Sequence, residues 1–253
     1  MQDRVALVTG AGRGIGRSTA ALLAQRGARV MAVARTEAEL VSLAAEQSGI
    51  EWMTASLDSP EACSQVIAET RRRLGPITII VNNAGVGSAD DGALWEQDYD
   101  AFRYTMAVNL EAPFLLSKAA SQDMREAGFG RIVMVSSTAG QIGSPKNISY
   151  TTSKHALLGL MRAAAQDVGA FGGTCNAVLP GWVRTSMAET SAERHAERKG
   201  QTVDEIWAWR DALYPRGSAL EPVEIAEVIA FLCTDAASGV NGEAITVAAG
   251  ALE

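Results

Sequence analysis

Short apolar runs alternate with longer segments of helical spacing along almost the whole chain. The apolar runs, rich in Val, Ile, Leu and Ala, are at 4–9, 28–33, 50–55, 77–81, 132–135, 175–179 and 244–247. Between them, apolar residues recur every three or four positions, as on one face of a helix, most clearly at 59–73 and 96–125. Strands that are apolar throughout are typical of a parallel sheet covered by helices on both faces. The pattern therefore predicts an α/β protein with one doubly wound parallel sheet, in a single domain over 1–253.

A glycine-rich turn follows the first apolar run, with glycines at Gly10, Gly14 and Gly16. A strand, a glycine turn and a helix in such close succession form the layout of a dinucleotide-binding site. Glycines let the backbone approach a pyrophosphate, and the helix offers free N–H groups at its positive end. The spacing differs from the better-known GxGxxG, and a plain strand-to-helix connection would also explain the turn. Taken alone, the turn leaves both interpretations open.

The end of the second run bears on the choice of cofactor. An acidic residue there would hold the ribose 2′-hydroxyl of NAD, but the chain has Ala34 followed by Arg35, with Arg13 in the glycine turn. Two guanidinium groups without a carboxylate suit a 2′-phosphate. The pattern favours NADP(H) over NAD(H). The alternative is that Arg35 only starts a solvated helix, whose next turns carry Glu37 and Glu39.

Tyr150 and Lys154 are the strongest candidates for chemistry. A helix beginning near Tyr150 places the two side chains one turn apart on one face, and Ser137 follows the apolar run at 132–135. A free phenol has a pKa of about 10, which a nearby ammonium lowers. Such a phenol can exchange a proton with an alcohol oxygen that a serine hydroxyl also binds. A Tyr and a Lys that merely share a solvated helix face are the alternative.

Composition excludes several classes of function. A net charge of -7 and a pI near 5.0 argue against a partner that is a nucleic acid or an anionic membrane. The three cysteines and two histidines are too few and too scattered for a metal site or a Ser-His triad. No signal peptide and no membrane-spanning apolar run is recognisable. We therefore expect a cytoplasmic protein with no metal.

With these residues placed, the chain resembles the short-chain dehydrogenase/reductase family. Residues 9–16 match its TGxxxGIG turn, 82–85 its NNAG turn and 180–185 its PGxxxT segment. Its catalytic tetrad is matched by Asn109, Ser137, Tyr150 and Lys154. The resemblance implies a Rossmann-type fold and an NADP-preferring member similar to carbonyl and 3-oxoacyl reductases. It would act on a small-molecule ketone or secondary alcohol, as a homotetramer or homodimer.

The resemblance also implies roles for individual residues. Tyr150 is the acid/base, Ser137 positions the substrate oxygen, and Lys154 lowers the phenol pKa and binds the nicotinamide ribose. Asn109 holds a water in the proton relay. Pro113, which lacks an N–H, would free the Asn109 carbonyl for that water if the helix continues. The implied cofactor-binding residues are Gly10, Arg13, Gly14, Ile15, Gly16, Arg35, Asn83, Ala84, Gly85, Tyr150, Lys154, Pro180, Gly181, Val183 and Thr185.

The chain departs from the family pattern after the third run, where Ser56 replaces the usual Asp that holds the adenine amino group. Asp58 lies two residues further on and is the alternative contact. The implied substrate lid is at 185–215, where Trp207 and Trp209 could wall the substrate or pack on a neighbouring subunit. Two residues apart on a helix, they cannot both face the cleft. A non-catalytic NADP-binding regulator is the alternative function, but such proteins are expected to lose a tetrad residue.

Overall fold

The structure is a computed structural model, and it describes residues 1–87 and 92–251. The strands are β1 (Val5–Thr9), β2 (Arg29–Ala34), β3 (Ile50–Thr54), β4 (Ile77–Asn82), β5 (Gly130–Val135), β6 (Gly173–Pro180) and β7 (Ala244–Val247). The helices are α1 (Gly14–Gln25), α2 (Glu37–Glu46), α3 (Pro60–Leu74), α4 (Tyr99–Met106), α5 (Ala112–Ala127), α6 (Ile148–Gly169), α7 (Ser186–Lys199), α8 (Val203–Ala212) and α9 (Pro222–Leu232).

The seven strands form one parallel sheet in the order β3-β2-β1-β4-β5-β6-β7. This is the predicted Rossmann-type, doubly wound α/β sheet. The chain reverses its direction of winding between β1 and β4. In open α/β sheets, ligands bind beyond the carboxyl ends of the strands at such a switch point. The topology therefore places the turns after β1 and β4 at one site.

Two apolar layers, one on each face of the sheet, form the core. Successive side chains of a strand point to opposite faces, so in β1 Ala6 and Val8 join one layer while Leu7 joins the other. The first layer includes Leu23 of α1, and the second includes Leu116 of α5. Because both faces are covered, apolar residues are favoured at every position of the central strands. This accounts for the uninterrupted runs in the sequence.

The helix expected at 96–125 begins at Tyr99 and contains a π-helical turn, Ala107–Glu111. In this turn the N–H of Ala112 bonds the carbonyl of Ala107, five residues before it. The helix continues through Pro113, near the start of α5, where a missing N–H is tolerated. The expectation that Pro113 frees the Asn109 carbonyl assumed α-helical hydrogen bonds, in which each carbonyl bonds the N–H four residues later. In a π-helical turn the partner is five residues later, so a free Asn109 carbonyl stays a prediction.

Candidate active site

A cleft of about 680 Å³ opens at the carboxyl ends of the strands. Of the residues predicted to bind cofactor or act in catalysis, all but Gly16 and Asn109 line it. Those that line the cleft are Gly10, Arg13, Gly14, Ile15, Arg35, Asn83, Ala84, Gly85, Ser137, Tyr150, Lys154, Pro180, Gly181, Val183 and Thr185. Segments far apart in the sequence thus meet in one cleft.

Gly16 lies behind the glycine turn and is buried there. A Cβ at this position would lie 2.1 Å from the carbonyl oxygen of Gly10, so only glycine lets the turn pack on the start of α1. Gly10 itself has φ 65°, a conformation that favours glycine. Asn83 holds the turn from the neighbouring strand end. Its Nδ2 donates to the carbonyl oxygens of Thr9 at 2.9 Å and Gly10 at 3.2 Å.

The turn fits a dinucleotide. Its glycines leave no side chain over the cleft, and α1 begins at Gly14 with its free N–H groups at the turn. Arg13 and Arg35 both line this end of the cleft. These residues can hold a pyrophosphate and a 2′-phosphate.

Two cleft residues at this end were not expected from the sequence. Glu39, interpreted as part of a solvated helix, lines the cleft, and its Oε1 lies 3.8 Å from the Arg13 Nη1. Tyr104, on α4, accepts a hydrogen bond of 3.4 Å from the Arg35 Nη1. Both contacts depend on how α2 and α4 pack, so local sequence gives no signal for them. The end of β2 itself has no carboxylate, as expected, but Glu39 of α2 brings one to this end of the cleft.

Of the two residues between which the adenine contact was left open, only Ser56 lies at the cleft. Ser56 lines the cleft, and its Oγ donates to the Asp58 Oδ2 at 2.9 Å. Asp58 is not among the residues that line the cleft. The carboxylate of Asp58 thus orients the Ser56 hydroxyl, and which of the two residues contacts adenine stays a prediction.

Ser137, Tyr150 and Lys154 converge where β5 ends and α6 begins. Ser137 caps a 3₁₀ turn, its Oγ accepting from the Ala139 N–H at 3.1 Å, and it also shares a hydrogen bond with the Tyr150 hydroxyl. Lys154 donates from Nζ to the carbonyl oxygen of Val135 at 2.8 Å. Its Nζ lies 5.5 Å from the centre of the Tyr150 ring. The predicted one-turn spacing on α6 brings Tyr150 and Lys154 together, and the segment after β5 brings Ser137 to them.

The electrostatics of this group differ from the expectation. Burial raises the pKa of Tyr150, and the hydrogen bond from Ser137 opposes that rise. Burial also lowers the pKa of Lys154 to about 8. The pKa of Tyr150 is therefore raised overall, because burial of the phenol is the largest effect, and the lowering of this pKa by Lys154 stays a prediction.

Asn109 lies just outside the cleft and uses its whole side chain to hold the loop after β4. Its Oδ1 accepts from the Val86 N–H at 2.8 Å, and its Nδ2 donates to the Val86 carbonyl at 2.9 Å. The same Nδ2 donates to the Ser153 Oγ at 3.0 Å, and that hydroxyl donates to the Tyr150 carbonyl at 2.7 Å. Asn109 therefore connects the loop after β4 to α6. Because the side chain is used in this way, the predicted water would have to bind the main-chain carbonyl of Asn109.

The predicted lid at 185–215 consists mainly of α7 and α8, and its two tryptophans face opposite ways. Trp209 lines the cleft and is 50% exposed, whereas Trp207 is buried and donates from Nε1 to the Glu189 Oε2 at 2.7 Å. This confirms that the two rings cannot share one face.

The buried Arg210 stacks on Trp182, with 3.7 Å from Cζ to the ring centre, and donates to the Ala188 carbonyl at 2.8 Å.

Within the described ranges, no group of three metal-ligating side chains occurs, and no helix is long and apolar enough to cross a membrane. His155, next to Lys154 in the sequence, is not a cleft residue, and its Nδ1 lies 3.0 Å from the Thr151 carbonyl oxygen. Cys63, Cys175 and Cys233 are free thiols, all buried.

Comparison with known proteins connects this geometry to a family of reductases. The family model described as enoyl-(acyl carrier protein) reductase matches residues 10–251. Versicolorin reductase 1 of Aspergillus parasiticus is 37% identical, covering 99% of this chain and 97% of that protein. The 3-oxoacyl-(acyl-carrier-protein) reductase of Vibrio cholerae is 32% identical, covering 99% and 98%. A variant of actinorhodin polyketide ketoreductase, solved with NADPH, superposes with a TM-score of 0.92 at 33% identity, covering 98% of this chain and 96% of that one.

Proposed function

We propose that this protein reduces a ketone to a secondary alcohol with NADPH. The chain belongs to the short-chain dehydrogenase/reductase family and is an oxidoreductase. The observation that carries the proposal is the convergence of Ser137, Tyr150 and Lys154 beside a glycine turn that fits a dinucleotide. All four residues of the predicted tetrad are present. Their retention disfavours a non-catalytic regulator.

The hydroxyls of Ser137 and Tyr150 lie close enough to interact with each other. A carbonyl oxygen bound between them would accept a hydrogen bond from each. A raised pKa keeps Tyr150 protonated at neutral pH, which suits an acid that protonates the oxygen during reduction. The nicotinamide cofactor supplies the hydride when it is bound. Lys154, held to the Val135 carbonyl, brings its charge beside the ring and is placed to bind the ribose.

For the cofactor, Arg13 and Arg35 support a 2′-phosphate, and the NADPH bound to the actinorhodin ketoreductase variant agrees with that. Thr185, which caps α7, lines the cleft beside the glycine turn, since a Cβ at Gly14 would lie 3.1 Å from its Cγ2. Together with Val183, it would hold the carboxamide. Ala34 leaves no carboxylate at the end of β2 itself. Glu39, in contact with Arg13, is the one acidic residue among the described residues lining the cleft.

The proposal extends to assembly as a homotetramer or homodimer through the central helices. Phe114 of α5 is 46% exposed, and Tyr99 at the start of α4 is 71% exposed. Apolar side chains exposed on adjoining helices are typical of an interface. Light scattering of the purified protein measures the mass directly.

Cofactor choice is tested by kcat/KM for NADPH and NADH with a panel of cyclic, aromatic and aliphatic ketones. A charge-assisted bond to phosphate contributes about 1.5–3 kcal/mol. Arg35→Ala should therefore lower kcat/KM for NADPH by roughly tenfold to a hundredfold and change NADH far less. Ala34→Asp should shift the preference towards NADH, because it adds a carboxylate that repels the phosphate.

Arg29→Ala is the matched control, because this exposed arginine lies at the opposite end of β2 from Arg35. It should leave both cofactors unaffected. Preference of the wild type for NADH, or equal losses for the two cofactors in Arg35→Ala, would contradict the NADP assignment. Absence of turnover with every ketone and both cofactors would contradict the reductase itself.

A further inference from the structure

One carboxylate lies at the adenosine end of the cleft, which is formed by the glycine turn, the end of β2 and the start of α2. It belongs to Glu39, in the first turn of α2. Glu39 is the single acidic side chain among the described residues that line the cleft. A negative charge at this place opposes the binding of a 2′-phosphate, so the 2′-phosphate does not explain why Glu39 lies there.

The Glu39 carboxylate lies over the glycine turn, close to the end of β2. A Cβ built on Gly12 would meet the Glu39 Oε2 as its nearest neighbour, and it would lie 3.2 Å from the Ala34 Cβ. The carboxylate and the Ala34 side chain are thus close to one common point. An acidic side chain at position 34 would reach the same region. Glu39 therefore brings a carboxylate from α2 to the place that an acid at the end of β2 would occupy.

Arg17 of α1 fixes α2 in this position. Its Nη1 donates to the main-chain carbonyl of Glu39 at 2.9 Å and to that of Gly12 at 3.4 Å. Its Nη2 donates to the Glu46 Oε2 at 2.6 Å. One guanidinium thus connects the glycine turn with both ends of α2. The place of the Glu39 carboxylate follows from the packing of the two helices and does not depend on Arg13.

The contact between Glu39 and Arg13 is loose. The distance from the Glu39 Oε1 to the Arg13 Nη1 is 3.8 Å, longer than a hydrogen bond, and the Arg13 side chain is 61% exposed. Exposed ion pairs contribute little to stability. Both groups can therefore turn to a bound ligand at a small cost in free energy.

The adenosine riboses of the two nicotinamide cofactors present opposite groups to this carboxylate. In NADH the 2′-hydroxyl can donate a charge-assisted hydrogen bond to a carboxylate. In NADPH the same oxygen carries a phosphate, which a carboxylate repels and which competes with it for Arg13. A carboxylate at this place thus favours NADH and disfavours NADPH.

Resting on the proposed cofactor site, we infer that Glu39 is a specificity-determining residue that acts against Arg13 and Arg35. Its carboxylate accepts a hydrogen bond from the ribose 2′-hydroxyl of NADH and so replaces the acid that the end of β2 lacks. The arginines make NADPH the preferred cofactor. Glu39 limits that preference, so that the enzyme also uses NADH.

The inference is tested by binding, with the Kd of ADP-ribose and of 2′-phospho-ADP-ribose measured by isothermal titration calorimetry. The two ligands differ only in the phosphate, and neither carries the nicotinamide. Glu39→Gln removes the charge and keeps the length and the helix propensity of the side chain. It should weaken ADP-ribose by about tenfold, as expected for a lost charge-assisted bond. It should tighten 2′-phospho-ADP-ribose by roughly twofold to fivefold, the range of an exposed ion pair.

Glu37→Gln is the matched control, because it removes the same charge from the same turn of α2. Glu37 is exposed and is not among the residues that line the cleft. Its replacement should change each Kd by less than about twofold, since solvent screens the charge. An unchanged ratio of the two Kd values in Glu39→Gln, or an equal shift in Glu37→Gln, would overturn the inference. Weaker binding of 2′-phospho-ADP-ribose by Glu39→Gln would also overturn it, because Glu39 would then only position Arg13.

Steady-state kinetics with both cofactors separates this inference from the proposed reduction. Glu39→Gln should raise the ratio of kcat/KM for NADPH to that for NADH by at least about tenfold, through the KM for each cofactor and with kcat nearly unchanged. An unchanged ratio would overturn the inference and leave the reductase intact. If no ketone is reduced but the two Kd values shift in opposite directions as expected, the proposed function fails and the role of Glu39 is supported.

Discussion

Replacing Asn109 by alanine should weaken the fold and the active site together. The side chain is completely buried and makes three hydrogen bonds, two to the main chain of Val86 and one to the hydroxyl of Ser153. Alanine removes all three. The loop after β4, which begins beside Lys154, loses its attachment to α6.

The size of the effect follows from what the partners can do instead. The hydroxyl of Ser153 keeps its bond to the Tyr150 carbonyl, and Val86 is partly exposed, so water can replace part of the loss. A partner left without its bond costs about 1–3 kcal/mol, so three such losses at the lower end cost roughly 3 kcal/mol. Alanine has a higher helix propensity than asparagine, which offsets about 0.5 kcal/mol of this loss of stability. For a protein of this size the net loss lowers Tm by roughly 5–10 °C.

The assay is thermal and urea unfolding of wild type, Asn109→Ala and Ser153→Ala, followed by steady-state kinetics. Ser153→Ala removes one of the three bonds and should cost about 1 kcal/mol. A melting temperature of Asn109→Ala within about 2 °C of that of the wild type would contradict the conclusion that Asn109 attaches the loop after β4 to α6. A large loss of stability with an unchanged kcat would support the attachment of the loop by Asn109 but contradict a role for Asn109 in the proton relay.

Three further changes test other parts of the molecule. Tyr150→Phe should abolish turnover while the Kd for NADPH stays nearly constant, and a tenth of the wild-type kcat would contradict Tyr150 as the acid. Burial raises the pKa of Cys175 from 9.0 to about 12, so the unfolded chain loses this proton first and stability falls above pH 9. In urea unfolding, the free energy of unfolding of Cys175→Ala should fall by about 2 kcal/mol less than that of the wild type between pH 9 and about pH 10.5. Parallel curves of unfolding free energy against pH for the two proteins would contradict this. Arg210→Met should raise KM for the ketone with little change in the Kd for NADPH, because it removes the stack on Trp182, and an unchanged KM would reject that role.

The parts of the site that sequence could predict are those set by local constraints. Gly16 is needed because a Cβ there would meet the Gly10 carbonyl six residues away, so the requirement lies within one turn. Tyr150 and Lys154 need only a helix to be placed together. Such features depend only on residues a few positions apart, so a short sequence motif is enough to predict them.

The missed features depend on contacts between distant segments. Tyr104 meets Arg35 across 69 residues, and Glu39 reaches Arg13 only because α2 packs beside the glycine turn. The sign of the Tyr150 pKa shift depends on how deeply the phenol is buried, and no spacing encodes burial of that kind. The π-helical turn at Asn109 likewise had no signal in the apolar pattern.

The same distinction explains why the chemistry is easier to predict than the substrate. The proposed catalytic groups stand at the ends of β5 and the start of α6, where the sheet fixes them. The residues that would select the substrate lie on α7 and α8, which are held by the buried Arg210 between the rings of Trp182 and Trp207. The Cζ of Arg184 lies 4.4 Å from the centre of the same Trp207 ring, and its Nη2 donates to Asp211 at 2.6 Å. Because these contacts involve no group of the catalytic centre, the cleft face of α7 can change its side chains without disturbing proton transfer.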